Sequence, residues 1–347
     1  MTIPGKSRPF AKTLKERTYE HSPSPLGDLP VTVGYGYSTL AWIPEAQGSW
    51  ALPLLHERIT SWDSPISQAV QQLSSVSSHL PSRALSLWDS EYGCAPFVNQ
   101  TAEFPVDKLM RLRSNLCLWG RPAAYGGRGR PKVHGDKFKL NDPMTWSSPV
   151  QQIEMDDPTL GKVRVQVWHN YHFRLSPTHP MSVLLVERLT TDDFTRISKP
   201  MWLAFTGLSM PTVTEVWRLY LRRFAIDHWY RFAKNRRPWT VPALSTPDQC
   251  DRWSDLMPIV TWQLWLARQL VAQRPLPWQK SQVKLTPGRV AQSFGSILAL
   301  LGTPACPPKL RGKSPGWTKG RKRRPRIRYP VVKKGFSRPR KTAKKSP

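Results

Sequence analysis

The order of local patterns between residues 30 and 93 constrains the fold more than any other feature of this chain. Residues 30–44 (PVTVGYGYSTLAWIP) are rich in β-branched and aromatic side chains, and residues 49–59 form a second apolar run after a turn-like EAQG. Such runs, separated by a turn, are typical of paired strands. We therefore predict a β-hairpin at the start of this region.

A helix and a third strand are predicted next along the chain. Residues 64–80 carry apolar side chains at helical spacing, with Ser64 as the N-cap and Pro65 just inside the first turn. Residues 83–93 (RALSLWDSEYG) predict a short apolar strand that stops at Asp89. The order strand, strand, helix, strand predicts an α/β sheet with an acid where its last strand ends.

The rest of the chain is predicted to be β-rich first and helical afterwards. Strand-like runs such as KVRVQVWHNYHFRL and MSVLLVERL follow a Gly- and Arg-rich segment, whereas helical patterns cover residues 212–236, 247–273 and 286–302. These shifts divide the chain into five segments. They are an irregular basic lead-in (1–29), the first part of an α/β core (30–97), a β-rich insertion (98–205), the helical end of the core (206–305) and a disordered basic tail (306–347).

The charge of the chain is strongly positive and unevenly distributed. The formal net charge is +29, and no acidic residue follows Asp255. A basic segment without acidic partners cannot pack against itself, so its partner is predicted to be a polyanion. Nucleic acid is the first candidate for this partner, and a membrane surface is the second.

Cysteine usage and hydropathy exclude several other classes of protein. The four cysteines form no CxxC pair, which argues against a structural zinc site and against a secreted disulfide scaffold. The N-terminus lacks the apolar core of a signal peptide, and no run of 18 apolar residues occurs. The protein is therefore expected to be soluble and cytoplasmic, and of the two candidate partners we expect nucleic acid and no membrane.

Four polar residues lie on one stripe of the helix predicted over residues 212–236. At 100° per residue, Tyr220, Arg223, Asp227 and Lys234 fall within roughly 60° of one another. A carboxylate among basic residues stays ionised and can hold a divalent cation, which in turn neutralises a phosphate. The simpler interpretation is a helical ion pair between Arg223 and Asp227, which contributes a few tenths of a kcal/mol.

Asp89 is the second acid that stands out by its position. Ligand and metal sites of α/β sheets open at the carboxyl ends of strands, which is where Asp89 is predicted to lie. The simpler interpretation is a turn residue, and this is how Asp156 and Asp157 are interpreted. No P-loop, GxSxG or HExxH motif occurs in the sequence.

The offsets of the stripe resemble the signature helix of a large group of bacterial insertion-sequence transposases. Their DDE-type catalytic domain has an RNase H-like fold and the spacing Y-x2-R-x3-E-x6-K, which Tyr220, Arg223, Asp227 and Lys234 reproduce with one substitution. Asp89 in LWDSEYG matches the second aspartate of the catalytic set, and the residues between the two acids resemble the insertion domain of these enzymes. Blocks such as LMPIVTWQLWLARQLV and PLPWQK resemble a cyanobacterial-type subgroup, so the resemblance covers nearly all of the chain.

The resemblance implies a fold, a site and a reaction. The fold is α/β, an RNase H-like mixed sheet with a β-rich insertion, a helical C-terminal region and a disordered basic tail. Asp89 and Asp227 would hold Mg²⁺ or Mn²⁺ and catalyse hydrolysis and strand transfer at insertion-sequence ends. The partner would be double-stranded DNA at transposon ends and target, with a homodimer in the DNA complex and a nucleoid-associated location. The expected DNA-binding residues are Tyr220, Arg222, Arg223, Arg231, Lys234, Arg236 and Arg237.

The sequence departs from the family pattern at two points. The last catalytic acid is Asp227 instead of Glu, which retracts the carboxylate by about 1.5 Å. The family's first aspartate lies on a strand ahead of the segment resembling SRPFAKTL, but here no acid precedes Glu16, and Asp28 stands before a strand. The chain is therefore expected to correspond to the C-terminal part of a transposase, cut close to its first catalytic acid and without the usual N-terminal DNA-binding region.

Two alternatives remain open at this point. One is a catalytically inactive DNA-binding remnant of a transposase, which would regulate transposition by binding the ends or a full-length copy. The other is a basic protein associated with RNA or ribosomes, which explains the charged tail but leaves the stripe of Tyr, Arg, Asp and Lys unexplained.

Overall fold

A computed structural model describes most of the chain. The described residues are 6–21, 31–189, 199–273, 275–280, 284–302 and 325–334, together with Gly312, Gly316, Thr318 and Gly320. The chain forms two compact units. The first contains Thr39–Leu55 and Pro65–Trp229, and the second contains Ile3–Ser38, His56–Ser64 and Tyr230–Pro347.

The described elements are thirteen strands, seven α-helices and a 3-10 turn at Pro143–Thr145. The strands are β1 (Lys6–Ser7), β2 (Thr18–His21), β3 (Val31–Tyr35), β4 (Tyr37–Trp42), β5 (Leu52–Arg58), β6 (Ala84–Trp88), β7 (Val106–Leu112), β8 (Cys117–Trp119), β9 (Lys137–Lys139), β10 (Gln151–Asp157), β11 (Gly161–Tyr171), β12 (Met181–Arg188) and β13 (Met201–Thr206). The helices are α1 (Pro65–Ser77), α2 (Ala95–Gln100), α3 (Val213–Leu221), α4 (Phe224–Asn235), α5 (Pro247–Ala267), α6 (Pro287–Ser293) and α7 (Gly295–Leu301).

A six-stranded mixed sheet forms the centre of the first unit. Its strand order is β10-β11-β12-β13-β7-β6, and neighbouring strands are antiparallel except for the parallel pair β6–β7. Consecutive residues of the inner strands alternate between two apolar clusters, so both faces of the sheet are covered. Trp202 and Ala204 of β13 belong to one cluster, whereas Leu203 and Phe205 belong to the other. Helix α3 packs on the second face through Trp217.

This architecture confirms the predicted fold class, which is a mixed α/β protein of RNase H-like fold with helices in its C-terminal half. Burial on both faces explains why β12 and β13 are continuous apolar runs. The stretch predicted as an insertion is β-rich, but it shares the core sheet. Strand β7 pairs in parallel with β6, and β13, β12, β11 and β10 extend the same sheet outward.

The predicted β-hairpin is present as the two-stranded sheet of β4 and β5. Its first strand is shorter than expected, because residues 30–44 form two strands separated at Gly36. Strand β3 pairs with β1 and β2, whereas β4 pairs with β5. Helix α1 and strand β6 lie where the sequence predicts them, and β6 ends at Trp88, directly before Asp89.

The helical region has more breaks than the sequence predicts. The helix expected at residues 212–236 is divided into α3 and α4 at Arg222 and Arg223. The helix expected at 286–302 is divided into α6 and α7 at Phe294, and α7 is followed by Gly302, whose positive φ of 70° suits a residue without a Cβ atom. Among the described residues, no helix is both long enough and apolar enough to cross a membrane.

The second unit contains ordered parts of the lead-in and of the tail. The lead-in that was expected to be irregular contributes β1 and β2, which flank β3 in an antiparallel sheet. Residues 325–334 dock onto the lead-in, since the Tyr329 and Val332 N–H groups donate to the Lys12 and Arg17 carbonyl oxygens, each at 2.8 Å. These residues are an ordered exception within the tail predicted to be disordered. Most of the remaining tail lies outside the described residues.

Candidate active site

A tight turn holds Asp89 at the carboxyl end of β6. Its Oδ1 atom accepts a hydrogen bond from the Ser90 N–H at 2.6 Å, and its carbonyl oxygen accepts one from the Tyr92 N–H at 3.0 Å. Gly93 then passes close to strand β7, since a Cβ atom there would lie 2.3 Å from the carbonyl oxygen of Arg111. Only glycine permits this approach, so the turn fixes the Asp89 backbone against β7.

Buried aromatic rings anchor this turn in the sheet. The ring centres of Trp88 and Tyr92 are 5.1 Å apart, and the ring of Phe97 on α2 is 4.6 Å from that of Trp88. All three side chains are buried, and the Trp88 Nε1–H donates to Ser86 Oγ at 2.8 Å. The position of Asp89 therefore rests on close packing on both sides of the residue.

The second acid lies on α4, behind a tight junction with α3. The N–H groups of Arg222, Arg223, Ala225 and Ile226 donate to carbonyl oxygens three residues earlier, at distances of 3.0 to 3.1 Å. This 3-10 pattern winds the chain more tightly than an α-helix does. The prediction of a single helix over residues 212–236 is therefore wrong. The predicted alignment of four polar residues on one helix face assumes 100° per residue throughout, and the 3-10 junction interrupts this rotation.

The junction places Arg223 against both predicted acids. Its Nη1 atom lies 3.7 Å from Oδ2 of Asp89, and its Nη2 atom lies 3.4 Å from Oδ2 of Asp227. Arg223 is only 5% exposed, whereas the side chains of Asp89 and Asp227 keep 25% and 31% of their exposure. The carboxylates thus face a buried cation on one side and remain accessible to solvent on another.

Tyr220 is buried beneath the same guanidinium. Its ring belongs to the apolar cluster on the α3 face of the sheet, and its centre lies 5.8 Å from the guanidinium carbon of Arg223. Burial raises the pKa of Tyr220 to about 12, although the nearby charges of Arg223 and Arg111 act in the opposite direction. The hydroxyl is therefore protonated at neutral pH. The side chain is 0% exposed, so the hydroxyl does not reach solvent in this structure.

Arg111 is a residue of the site that sequence reasoning missed. It follows Met110, which is the register partner of Trp88 in the parallel pair β6–β7, so Arg111 is level with Asp89. Its charge acts to lower the pKa of Tyr220, against the larger effect of burial. The sequence feature that indicates its role is a basic residue on β7, one position after the partner of Trp88. It can be interpreted only when the pairing of the strands is known.

Arg222 contributes one of its donors to the fold. Its Nη2 atom donates to the carbonyl oxygen of Ile43 at 2.8 Å, just beyond the end of β4. This contact ties the α3–α4 junction to the segment that follows β4, and both lie within the first unit. Arg222 therefore has a structural partner in addition to the DNA contact predicted for it.

The other predicted DNA-binding residues belong to the second unit. Arg231 and Arg236 are exposed, whereas Lys234 is half-buried. Arg237 is also half-buried, with its guanidinium carbon 5.5 Å from the ring centre of Phe232. Burial lowers the pKa of Lys234 and that of Arg237. Of these four residues, only Arg231 and Arg236 have exposed side chains that can contact DNA without rearrangement.

The two acids suit a hard divalent cation. Mg²⁺ prefers oxygen ligands and is commonly held by one or two carboxylates together with water and substrate phosphate. Asp89 and Asp227 already converge on one positive charge, that of Arg223. Within the part of the chain that the structure describes, no group of three or more His, Cys, Asp or Glu side chains comes together. The described residues therefore offer two carboxylate ligands for a cation.

An RNase H-like fold in which a strand end and a helix bring two carboxylates to a basic side chain has the parts of a metal-dependent nuclease domain. Residues 5–172, slightly less than half of the chain, match the family model described as DDE superfamily endonuclease. This match supports a transposase-like DDE nuclease domain, a type that acts on DNA and generally uses divalent metals. The match includes Asp89 and ends before Asp227, whose place in the site rests on the geometry. A comparison with curated proteins finds no match.

Proposed function

We propose that the chain is a DDE-type DNA transposase that acts at the ends of an insertion sequence. The observation that carries the proposal is the convergence of Asp89 and Asp227 on Arg223 within an RNase H-like fold. The family match over residues 5–172 supports the proposal. The spacing of Tyr220, Arg223, Asp227 and Lys234 supports it too, because it resembles that of the signature helix. The cyanobacterial-type subgroup is proposed from the sequence resemblance alone.

In the proposed site, Asp89 and Asp227 hold Mg²⁺ or Mn²⁺. The cation, when bound, supplies Lewis-acid polarisation of the scissile phosphate and lowers the pKa of an attacking water. Asp89 is the more firmly oriented ligand, because the Ser90 N–H holds its Oδ1 atom and leaves Oδ2 to face the site. Asp227 lies four residues beyond Arg223, so its reach depends on where the 3-10 junction places helix α4.

Basic residues position the DNA backbone in this proposal. Arg223 presents a planar set of donors that suits a phosphate, and Lys234 adds a point charge further along α4. The exposed Arg231 and Arg236 contribute attraction that does not depend on DNA sequence and that falls steeply with salt. Tyr220 supports Arg223 from beneath, since its ring is buried in the α3 cluster.

The proposed reaction consists of two successive displacements at phosphorus. Water attacks the phosphodiester at a transposon end and the 3′-oxygen leaves, which produces a free 3′-hydroxyl. This hydroxyl then attacks a phosphodiester of the target DNA, and the 3′-oxygen of the target strand leaves. One P–O bond forms for each that breaks, so neither step needs an oxidant or an external source of energy. A homodimer in the DNA complex would allow two ends to react together.

A second candidate function is that of an inactive DNA-binding remnant of a transposase. The bridging position of Arg223 favours it, because one guanidinium already offsets part of the charge of both acids. The replacement of Glu by Asp227 favours it as well, since the shorter side chain reaches about 1.5 Å less far. In this case the acids serve to hold Arg223, and the exposed arginines bind DNA.

Nicking of a supercoiled plasmid in the presence of Mg²⁺ or Mn²⁺ distinguishes the two candidates. A transposase nicks the plasmid only when the cation is present, and the activity is lost in Asp89→Asn and in Asp227→Asn. A remnant binds the plasmid with salt-dependent affinity and nicks it under neither condition. A chain that neither binds nor nicks the plasmid contradicts both candidates.

A further inference from the structure

Arg223 is buried but poorly bonded. Its contacts with Asp89 at 3.7 Å and with Asp227 at 3.4 Å are long, because charge-assisted N–H···O bonds usually span about 2.7 to 2.9 Å. Its Nε and Nη1 atoms make no hydrogen bond within the described part of the chain. A buried guanidinium with unfilled donors favours any ligand that supplies further acceptor oxygens.

Aromatic rings hold the guanidinium without fixing its direction. Its central carbon lies 4.9 Å from the ring centre of Phe224 and 5.8 Å from that of Tyr220. Ring faces attract a cation over a range of positions, unlike a hydrogen bond to a single atom. Phe224 is 40% exposed, so one of the two supporting rings is open to solvent. The two rings therefore support the charge of Arg223 but supply no acceptor oxygen to its N–H donors.

We propose that Arg223 is an internal counter-cation, which bridges Asp89 and Asp227 in the DNA-free protein and transfers to a backbone phosphate when DNA binds. The inference rests on the proposed function and adds a regulation of the same site. While Arg223 bridges the acids, it cancels one of their two negative charges and repels an incoming divalent cation. A phosphate offers the acceptor oxygens that Arg223 lacks, and its transfer leaves both carboxylates to the cation.

This device couples the binding of DNA to the binding of the cation. Linkage requires that DNA raises the affinity for the cation by the same factor by which the cation raises the affinity for DNA. An arginine that only contacts phosphate would behave differently, because its removal would leave the cation affinity of the DNA-free protein unchanged. Arg223 thus acts as a positioning residue in this proposal, and cation binding without DNA is the property that reveals its role.

The test is the affinity of the full chain for Mn²⁺ without DNA, measured by electron paramagnetic resonance. Arg223→Gln is expected to bind Mn²⁺ at least about tenfold more tightly than the wild type, which is within the usual range for coupled sites. Arg218→Gln is the matched control and is expected to bind as the wild type does. It removes one charge from helix α3, just before the junction that contains Arg223, but Arg218 pairs with Asp157, at 3.0 Å.

A second variant covers the case in which Arg223→Gln does not fold. Arg223→Lys keeps the charge, but a single ammonium cannot bridge both carboxylates with the planar geometry of a guanidinium. Its affinity for Mn²⁺ is expected to lie between those of the wild type and Arg223→Gln. The reciprocal measurement is the anisotropy of a short fluorescent duplex at fixed ionic strength. Mn²⁺ should tighten the wild-type complex and change the complex of either Arg223 variant less.

Two results would overturn the inference, and they are distinguishable. Arg223→Gln and Arg223→Lys could bind Mn²⁺ no more tightly than the wild type while Asp89→Asn abolishes binding. The counter-cation role is then wrong, but the metal site and the proposed function stand. If Asp89→Asn and Asp227→Asn bind Mn²⁺ no differently from the wild type, the acids are not a metal site, and the proposed function fails together with the inference.

Discussion

The Nη1 atom of Arg223 lies 3.7 Å from Oδ2 of Asp89, although the two residues are far apart in the sequence. Asp89 follows strand β6, and Arg223 lies where helix α3 gives way to α4. The contact therefore depends on the packing of α3 on the sheet and on the turn that holds Asp89. Substitutions that disturb the packing of α3 or the turn after β6 should therefore change the geometry of the site, although neither acid is replaced.

Gly93→Ala tests the turn after Asp89. A Cβ atom at this position would lie 2.3 Å from the carbonyl oxygen of Arg111, so either the turn or strand β7 must shift. We expect the free energy of unfolding to fall by about 1 to 3 kcal/mol, which is typical of overpacking. Gly126→Ala is the control, since a Cβ atom there has no neighbour within 4 Å. Equal urea midpoints for the two variants would show that the turn is not constrained in this way.

His56→Phe tests the packing of the second unit through its pH dependence. The imidazole stacks on Tyr37 with ring centres 5.1 Å apart, and burial lowers the pKa of His56 to about 3. In the unfolded chain, the pKa of a histidine is about 6.5. The folded protein therefore binds one proton fewer than the unfolded chain between these values. The stabilisation is complete above about pH 6.5 and is lost progressively as the pH falls towards 3.

The wild type should accordingly lose about 1.4 kcal/mol of stability per pH unit from this residue between pH 6 and pH 4. His56→Phe keeps an aromatic ring in the stack and removes the titration, so its stability should fall less steeply with acid. Urea unfolding at several pH values measures both slopes. Parallel curves for the two proteins would mean that His56 does not stay neutral in the folded state.

Arg236→Gln tests the proposed contact between the end of α4 and DNA. Arg236 is exposed, and one phosphate contact changes the slope of log Kobs against log salt concentration by about 0.9. We expect the slope to become shallower by this amount when DNA binding is measured by anisotropy. Arg164→Gln is the control, because Arg164 pairs with Glu154 on the sheet of the first unit. A similar change in both variants would indicate an effect of net charge instead of a contact.

Local patterns in the sequence were sufficient for the elements that carry Asp89. The helix start at Pro65 and the apolar strand ending at Trp88 depend on residues that are neighbours in the sequence, and both lie where they were predicted. The order of these elements predicted an α/β sheet, and the family resemblance implied its RNase H-like arrangement. The division of residues 30–44 at Gly36 could not be predicted, because it depends on strands that pair from distant parts of the chain.

The candidate site was less accessible to sequence reasoning. The pattern identified Arg223 and Asp227, but it placed Tyr220 on a polar stripe, whereas the structure buries the tyrosine in the α3 cluster. The reason is the 3-10 junction, which shifts the phase between α3 and α4 and depends in part on the contact of Arg222 with Ile43. Helical periodicity alone contains no information about such a contact.

The most direct test of the proposed site is the rate of Mn²⁺-dependent plasmid nicking by the wild type, Asp89→Asn and Asp227→Asn. Mutation of a residue that only hydrogen-bonds to a metal ligand typically lowers metal affinity or activity by about 10- to 100-fold. Loss of a ligand itself should therefore lower the nicking rate by more than about a hundredfold. Asp156→Asn is the control for the loss of one acid, because Asp156 is exposed on β10.

DNA affinity in the same samples should be unchanged or higher in Asp89→Asn and Asp227→Asn, because each removes a negative charge near the phosphate. The predicted result is metal-dependent nicking by the wild type and by Asp156→Asn, with loss of nicking in the two site variants. Nicking that persists at the wild-type rate in Asp89→Asn and Asp227→Asn would contradict the assignment of these acids as the catalytic metal ligands.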